Sequence, residues 1–291
     1  MLIKEPKLKK SNFNLIKYLI IAYNTKPNHS VYNRKYKNIF KELIRIRNNN
    51  IKKKKIIFFL NDYISITNSK LGNLYAADLF NFDEIIIFLF YILNKHKYDK
   101  VLDIGANVGL HSIILEKLKY QTISFEPDPK TFKILKKNVK MNKLKNIKMY
   151  NCAISNVKKF AKFNRIKNNL TGSHISGEKN KIYGPVDVIK VKTKNINEFI
   201  DDVSTLVKID AEGHEAKIMT SLKKENFLKA DFLIECNNIN NSKIIFNLVK
   251  KNKTKCYSQK NNWKLCKSIK DLPQNYKEGT IFISKKNIPF N

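Results

Sequence analysis

Residues 101–110 read VLDIGANVGL, and residues 123–128 read ISFEPD. Asp103 closes one apolar run, Gly105 and Gly109 follow it, and Glu126 closes the next apolar run. The two acids are 23 residues apart, one β-α-β step. A strand, a glycine turn, a helix and a second strand with an acid at its tip build a nucleoside pocket.

The departures from the dinucleotide pattern G-x-G-x-x-G say which nucleoside. That pattern cradles a pyrophosphate at a helix N-terminus. Here the middle glycine is Asn107 and the last is Leu110. Gly105 allows a backbone conformation that a Cβ disfavours, and Gly109 is expected to leave space for a ligand at the helix entry. Asp103 stands where a buried strand is normally apolar, and its carboxylate suits an ammonium or ordered water, not a phosphate. S-adenosylmethionine fits these demands, with an amino-acid end, a ribose diol for Glu126 and no phosphate. A nicotinamide oxidoreductase does not.

At 291 residues the chain is long enough for one or two domains with a sizeable core. Cys152, Cys236, Cys256 and Cys266 show neither a C-x-x-C pair nor zinc spacing, so reduced thiols and no metal are expected. The apolar stretch Ile85–Leu93 is far short of the ~20 residues that span a bilayer. Leu15–Tyr23 follows a basic start, but Lys17 interrupts it and no small-residue cleavage site follows. The expected compartment is the cytoplasm.

The formal charge of +33 invites a nucleic-acid reading. Of the 57 basic residues, however, only Arg34, Arg45, Arg47 and Arg165 are arginine. Arginine is the residue whose planar fork reads phosphates and guanine edges. The lysine runs Lys7–Lys10 and Lys52–Lys55 read as solvated faces or ends. A surface this basic still attracts polyanions non-specifically, among them acidic glycans, RNA and anionic membrane surfaces.

Residues 1–95 form a lysine-rich extension or a helical or hairpin subdomain. Within it Ile56–Leu60 and Tyr63–Thr67 flank a turn at Asn61-Asp62, and Phe82–Asn94 reads as a helix. A second domain, 96–291, alternates regularly. Strands are expected at Val101–Ile104, Thr122–Phe125, Ile147–Tyr150, Leu206–Ile209, Phe232–Glu235, Lys255–Ser258 and Thr280–Ser284. Helices are expected at Leu110–Leu118, Pro129–Val139, Asn197–Asp201, Glu215–Leu222 and Ile244–Val249. A β insertion at about 156–192, with strands Lys158–Phe163 and Val186–Val191, interrupts the alternation. The result is an α/β, Rossmann-like parallel sheet covered on both faces, with ligands at the carboxyl ends of its strands. Asp103, Glu126, Asn151, Asp210 and Glu235 all fall at such ends.

A second motif, LVKIDAEGHE, spans residues 206–215. Asp210, Glu212, His214 and Glu215 crowd into six residues at a helix entry. Like charges and burial raise a carboxylate pKa, which is how a general base or a metal site is made. Glu215, and Glu212 with it, also suits a helix N-terminus on electrostatic grounds alone.

Together these pieces resemble the FkbM-type S-adenosylmethionine-dependent methyltransferases. The matching stretches are VLDIGANVGLHS (101–112), SFEPDP (124–129), CAIS (152–155), VKTKNINEFI (191–200), KIDAEGHEAKIM (208–219) and FLIEC (232–236), in family order. The resemblance covers roughly residues 75–284. It implies a seven-stranded sheet with its last strand antiparallel. It puts Asp103, Gly105, Asn107 and Gly109 along the methionine end, Glu126 on the ribose, and Asp128 with the Cys152-Ala153 turn near the adenine. The implied reaction is methyl transfer to a hydroxyl of a sugar, glycan or secondary metabolite, and the basic surface favours an acidic one.

Such a transfer needs an aligned oxygen and a base for its proton. The candidates are Asp210, Glu212, His111 and His214. The polar stretch 168–174 is a place for hydrogen bonds to a sugar. Two rivals remain. A nucleic-acid methyltransferase would carry an Asn/Asp-Pro-Pro-aromatic loop or a Pro-Cys nucleophile, and neither string occurs. A non-catalytic polyanion-binding module on the same fold would not need Asp103, Glu126 and Asp210 intact.

Overall fold

The apolar strand runs and the amphipathic helices between them form a layered α/β fold in the computed structural model. It describes residues 82–290, apart from 157–158, 168 and 180–183, together with short pieces before residue 82. The lysine runs at 7–10 and 52–55 lie outside the described residues. In the N-terminal part, strands Ile56–Phe59 and Asp62–Ser65 pair antiparallel. The Asn142 side chain holds the second of them, accepting from Ser65 N at 2.9 Å and donating to Ser65 O at 2.6 Å.

Helix α1 (Phe82–Leu93) leads into β1 (Lys100–Ile104), α2 (Leu110–Lys117) and β2 (Gln121–Phe125). Helix α3 (Pro129–Met141) and β3 (Ile147–Tyr150) follow. Then come the short strand β4 (Ala153–Ile154) and the insertion strands β5 (Phe160–Ile166), β6 (His174–Ile175) and β7 (Val186–Lys194). Alternation resumes with β8 (Thr205–Ile209), α4 (Glu215–Thr220), α5 (Lys224–Lys229), β9 (Ala230–Glu235) and α6 (Ile239–Lys251). The chain closes with β10 (Lys255–Ser258), β11 (Lys264–Leu265) and β12 (Thr280–Ser284).

The main sheet has the order β11-β10-β12-β9-β8-β1-β2-β3. Neighbours from β9 through β3 are parallel, and β12 is antiparallel to both β9 and β10. The reversed last strand agrees with expectation. The strand count does not: there are eight, because Leu265 and Lys264 pair with Tyr257 and Ser258 at the sheet edge. Both added residues are exposed, so no apolar run announces them. The insertion forms its own four-stranded sheet, β6-β5-β7-β4. Its first strand starts at Phe160, two residues later than expected, and the expected helix at Asn197–Asp201 is only a 3-10 turn, Ile196–Glu198.

Two cores sandwich the sheet. One packs Val101, Leu206 and Leu233 against α1 and α2; the other packs Leu102, Ile104, Val207 and Ile209 against α4 and α6. Strand alternation thus points Asp103 and Lys208 to the α1–α2 side, as cross-strand neighbours. Among the described residues no helix is long and apolar enough to cross a membrane.

Candidate active site

The turn after β1 is built by its glycines and by what they touch. Gly105 has φ +79°, and a Cβ on it would lie 1.8 Å from the carbonyl oxygen of Asp210. The backbones after β1 and β8 therefore pass in direct contact, and Asp210 N donates to Ile104 O at 3.1 Å. Asn107 also adopts a positive φ, +51°. Its N–H donates to Glu126 Oε2 at 3.0 Å, while Asp128 N donates to Oε1 at 2.8 Å. Glu126 is buried, and burial with the neighbouring Asp128 outweighs those two hydrogen bonds and lifts its carboxyl to about 8. Gly109 differs from expectation. A Cβ there would meet Leu135 of α3 at 2.3 Å, so this glycine serves helix packing and not ligand approach.

A pocket lies over the tips of β1, β2 and β8. Gly105, Asn107, Glu126, Cys152, Ala153, Asp210, Glu212 and His214 line it, and Phe163, Leu170, Thr171, Ser173 and Ile175 of the insertion roof it. Burial lifts the Cys152 thiol to about 11, so it is a neutral, apolar wall. Asp128 is not part of this lining. Its carboxylate caps α3, accepting from Lys130 N at 2.8 Å, and takes a two-pronged contact from Arg165 of β5 at 2.7 and 2.5 Å. Asp128, expected near the adenine, commits its carboxylate to a clamp that docks the insertion.

Asp103 is fully buried beneath the pocket. Ser112 Oγ donates to its Oδ2 at 2.5 Å, and Lys208 Nζ stands 3.3 Å from its Oδ1 as an ion pair short of hydrogen-bond alignment. The ammonium that the sequence position called for is the protein's own. Lys208 also approaches Asp210 Oδ2 at 3.7 Å, and the two acids hold it charged against burial. This lysine escaped sequence reading, although a lone lysine in the apolar run LVKI was the available signal.

Beyond Asp210 a second chamber is walled by Glu84, His111, Lys208, Glu235 and Gln259. His111 is pinned there, with Nε2 2.8 Å from Glu84 Oε2 and Nδ1 2.9 Å from the Tyr91 hydroxyl. Burial and Asp103 keep that hydroxyl protonated, so it can donate to Nδ1 or accept from it according to the ring's tautomer. The pairing with His111 outweighs burial and holds Glu84 below the usual carboxylate range. His214 is pinned likewise, between Glu178 Oε1 at 2.7 Å and Ser155 Oγ at 2.9 Å. Both rings have each nitrogen within hydrogen-bond reach of a protein partner.

Glu215 braces its own loop. It accepts from Ala211 N and Gly213 N at 3.1 and 2.9 Å, and from the amides of Asn237 and Asn241. Glu212 is different. It has a left-handed φ of +53°, lines the donor pocket, and also lines a wide cleft with Asn169, Asn237, Asn238, Asn240 and Asn241. Burial and the nearby Asp210 carry its carboxyl up to about 7. Asp210 joins the donor pocket to the second chamber, and Glu235 joins that chamber to the cleft. Among the described residues no group of three or more His, Cys, Asp and Glu side chains is arranged to hold a metal ion.

A mostly parallel sheet with a reversed last strand, acids at its strand tips and one pocket across them defines a Rossmann-like nucleoside-binding enzyme fold. The sequence profile of the methyltransferase FkbM domain matches residues 103–253, and the chain belongs to that family. It is thereby an S-adenosylmethionine-dependent methyltransferase. A search of curated proteins found no significant match. Solved structures with similar folds include the ribosomal protein L11 methylase of Lactobacillus delbrueckii subsp. bulgaricus. That likeness has 12% identity and a TM-score of 0.37, over 68% of this chain and 78% of that one. The precorrin-6y C5,15-methyltransferase of Geobacter metallireducens GS-15 gives 11% and 0.34, over 67% and 85%. The tRNA (uracil-54, C5)-methyltransferase of Pyrococcus abyssi, in complex with S-adenosyl-L-homocysteine, gives 11% and 0.32, over 68% and 37%.

The residues present fit the methyl donor. Glu126 offers a buried carboxylate to a diol, Phe125, Cys152, Ala153 and Leu170 offer an apolar wall, and the buried Oδ1 of Asn107 has no hydrogen-bond partner. An unanswered acceptor in the pocket lining suits a ligand with a hydrogen-bond donor.

Proposed function

We propose that the protein methylates a hydroxyl of a sugar, glycan or similarly hydroxylated metabolite, with Glu212 as the base. One observation carries this reading: Glu212 is shared by the donor pocket and the asparagine-lined cleft. When bound, S-adenosylmethionine supplies an electrophilic methyl group on a sulfonium. Asparagine amides both donate and accept, as sugar hydroxyls do. A half-buried carboxyl near 7 is ionised enough to act and basic enough to take a proton near neutral pH. Asp210, 3.7 Å from Lys208, lines the same pocket and supports that tuning by its charge.

The lysine surplus favours acceptors that carry negative charge, such as acidic glycans, and loose contact with polyanions or anionic membrane surfaces. The test is a panel of neutral and acidic glycans, small polyols and RNA, incubated with S-adenosylmethionine and read by mass spectrometry. Methylated glycan or polyol is the expected product. Methyl groups found only in RNA would replace this reading with the nucleic-acid one. Glu212→Gln is expected to lower kcat by about 100-fold or more while S-adenosylhomocysteine affinity stays within about twofold. Full turnover in that variant eliminates Glu212.

A further inference from the structure

The insertion and the second motif interlock through two consecutive residues. Glu178 Oε1 accepts from Lys217 Nζ at 2.8 Å and meets His214 Nδ1 at 2.7 Å. The next residue, Lys179, reaches back to pair its Nζ with Glu212 Oε2. The backbones are in near contact, since a Cβ on Gly213 would lie 3.0 Å from the Glu178 carbonyl oxygen. Glu178 is thus fixed from two sides, and its neighbour's ammonium is delivered to the residue that joins donor pocket and cleft.

The surroundings of Glu212 give that ammonium a task. Asp210 approaches from the tip of β8, Glu215 from α4 and Glu235 from the tip of β9, all of them acids that disfavour a charge on Glu212. Lys208 is committed to Asp103 and Asp210. Lys179 is the cation that pairs with Glu212 among the described residues.

We propose that Lys179, carried by the insertion, is a positioning residue whose ammonium keeps the Glu212 carboxylate ionised and aimed between the donor pocket and the cleft. This rests on the reading of Glu212 as base. In the reaction the acceptor's O–H proton would pass to Glu212 and its oxygen would take the methyl group as the donor's S–CH3 bond breaks, with that bond's electron pair staying on sulfur. Lys179 keeps its own proton throughout, and no oxidant or reductant is involved. Two features separate this from a surface ion pair of little consequence. Each side chain is about three-quarters covered, and each partner is locked by a neighbour in sequence: Glu178 beside the lysine, and the Glu215-braced loop beside the glutamate.

The experiment needs no acceptor. Full-length protein carrying ¹³C-carboxyl glutamate is titrated by NMR with S-adenosylhomocysteine present, and the Glu212 signal is the one missing from Glu212→Gln. Removing a paired cation raises a carboxylate pKa. Lys179→Met is therefore expected to move the Glu212 midpoint upward by about one pH unit or more, whereas Lys179→Arg leaves it within about 0.3. Binding of S-adenosylhomocysteine is expected to be unchanged in both, which separates the effect from misfolding. If the methionine variant folds poorly, Lys179→Gln makes the same comparison. A midpoint that stays put, or falls, overturns the proposal. With an acceptor in hand, the acid limb of kcat/KM moves by the same amount in Lys179→Met and returns in Lys179→Arg. A Glu212→Gln enzyme with full turnover would instead fail the base reading and leave the titration result standing, so the two failures are distinguishable.

Discussion

Glu126 does two jobs with one carboxylate. It closes the turn after β1 by accepting from Asn107 N and Asp128 N, and it faces the donor pocket. With its carboxyl near 8, it is largely protonated at neutral pH in the free protein. Two ribose hydroxyls are donors and bind the ionised form better. S-adenosylhomocysteine affinity is therefore expected to strengthen as pH rises from about 7 to 9, by up to about tenfold. Calorimetric titrations at several pH values read this directly. Glu126→Gln should bind weakly and without that slope, because its amide nitrogen meets one of two backbone N–H groups that need an acceptor. An unchanged slope removes Glu126 from the ribose. Gly105 is as exacting for steric reasons. A methyl group there collides with the Asp210 carbonyl, and Gly105 already holds a positive φ. Gly105→Ala is expected to cost on the order of 3 kcal/mol or more in urea unfolding, whereas an alanine at Gly177, where nothing lies within 4 Å, meets only the φ penalty.

At the level of elements, the insertion is fastened to the Rossmann-like sheet by the Arg165–Asp128 fork at one end and the Glu178–His214 pair at the other. Arg165 and Asp128 are both buried, so breaking the fork strands a charge. Arg165→Met is expected to cost roughly 3–5 kcal/mol, and hydrogen exchange should rise over residues 160–175 before it rises in the central strands. Lys in place of Arg165 restores only part of this, because an ammonium cannot form the planar fork. Exchange that rises uniformly would mean that the insertion does not open by itself. The clamp also shows where sequence reading ends. Strands β1, β2, β8 and β9 were legible because each is an apolar run closed by a polar tip, and the turn glycines marked the helix entries. Asp128 and Arg165 lie 37 residues apart, on elements that local periodicity cannot bring together. Helix α5 is six residues with only Phe227 and Leu228 apolar, and β11 is two exposed residues; neither carries an apolar period. Helix α6 starts five residues earlier than its apolar run because Asn238 caps it within an asparagine-rich stretch. In the site, strand-tip acids could be read from spacing. The partners that fix their chemistry, Lys208, Glu84 and Lys179, come from other strands, helices and loops.

Across the whole molecule, buried acids at the sheet's carboxyl edge give stability an unusual dependence on pH. Glu126 and Glu212 have folded values of about 8 and 7, above the ordinary 4.5. Between about pH 4.5 and those values the unfolded chain has released protons that the folded chain still holds, so stability falls as pH rises through that window and levels off above it. Glu84 and Glu178 act in the opposite direction. Their partners His111, His214 and Lys217 hold them below the usual value, so their contribution is present above the unfolded value and is lost as pH falls below it. The two windows do not overlap. Self-repulsion from a formal charge of +33 also grows as carboxylates protonate. The ligand-free protein is thus expected to be most stable in mildly acidic solution, well below its isoelectric point of about 9.9. Urea unfolding of the wild type and of Glu126→Gln/Glu212→Gln at pH 5, 6.5 and 8 isolates the first effect, because the double variant keeps the opposing groups and the surface charge. Relative to that variant, the wild type should lose on the order of 6 kcal/mol between pH 5 and 8. Parallel pH profiles for the two proteins would mean that these carboxyls titrate normally, and that the edge of the sheet is wetter than its packing indicates.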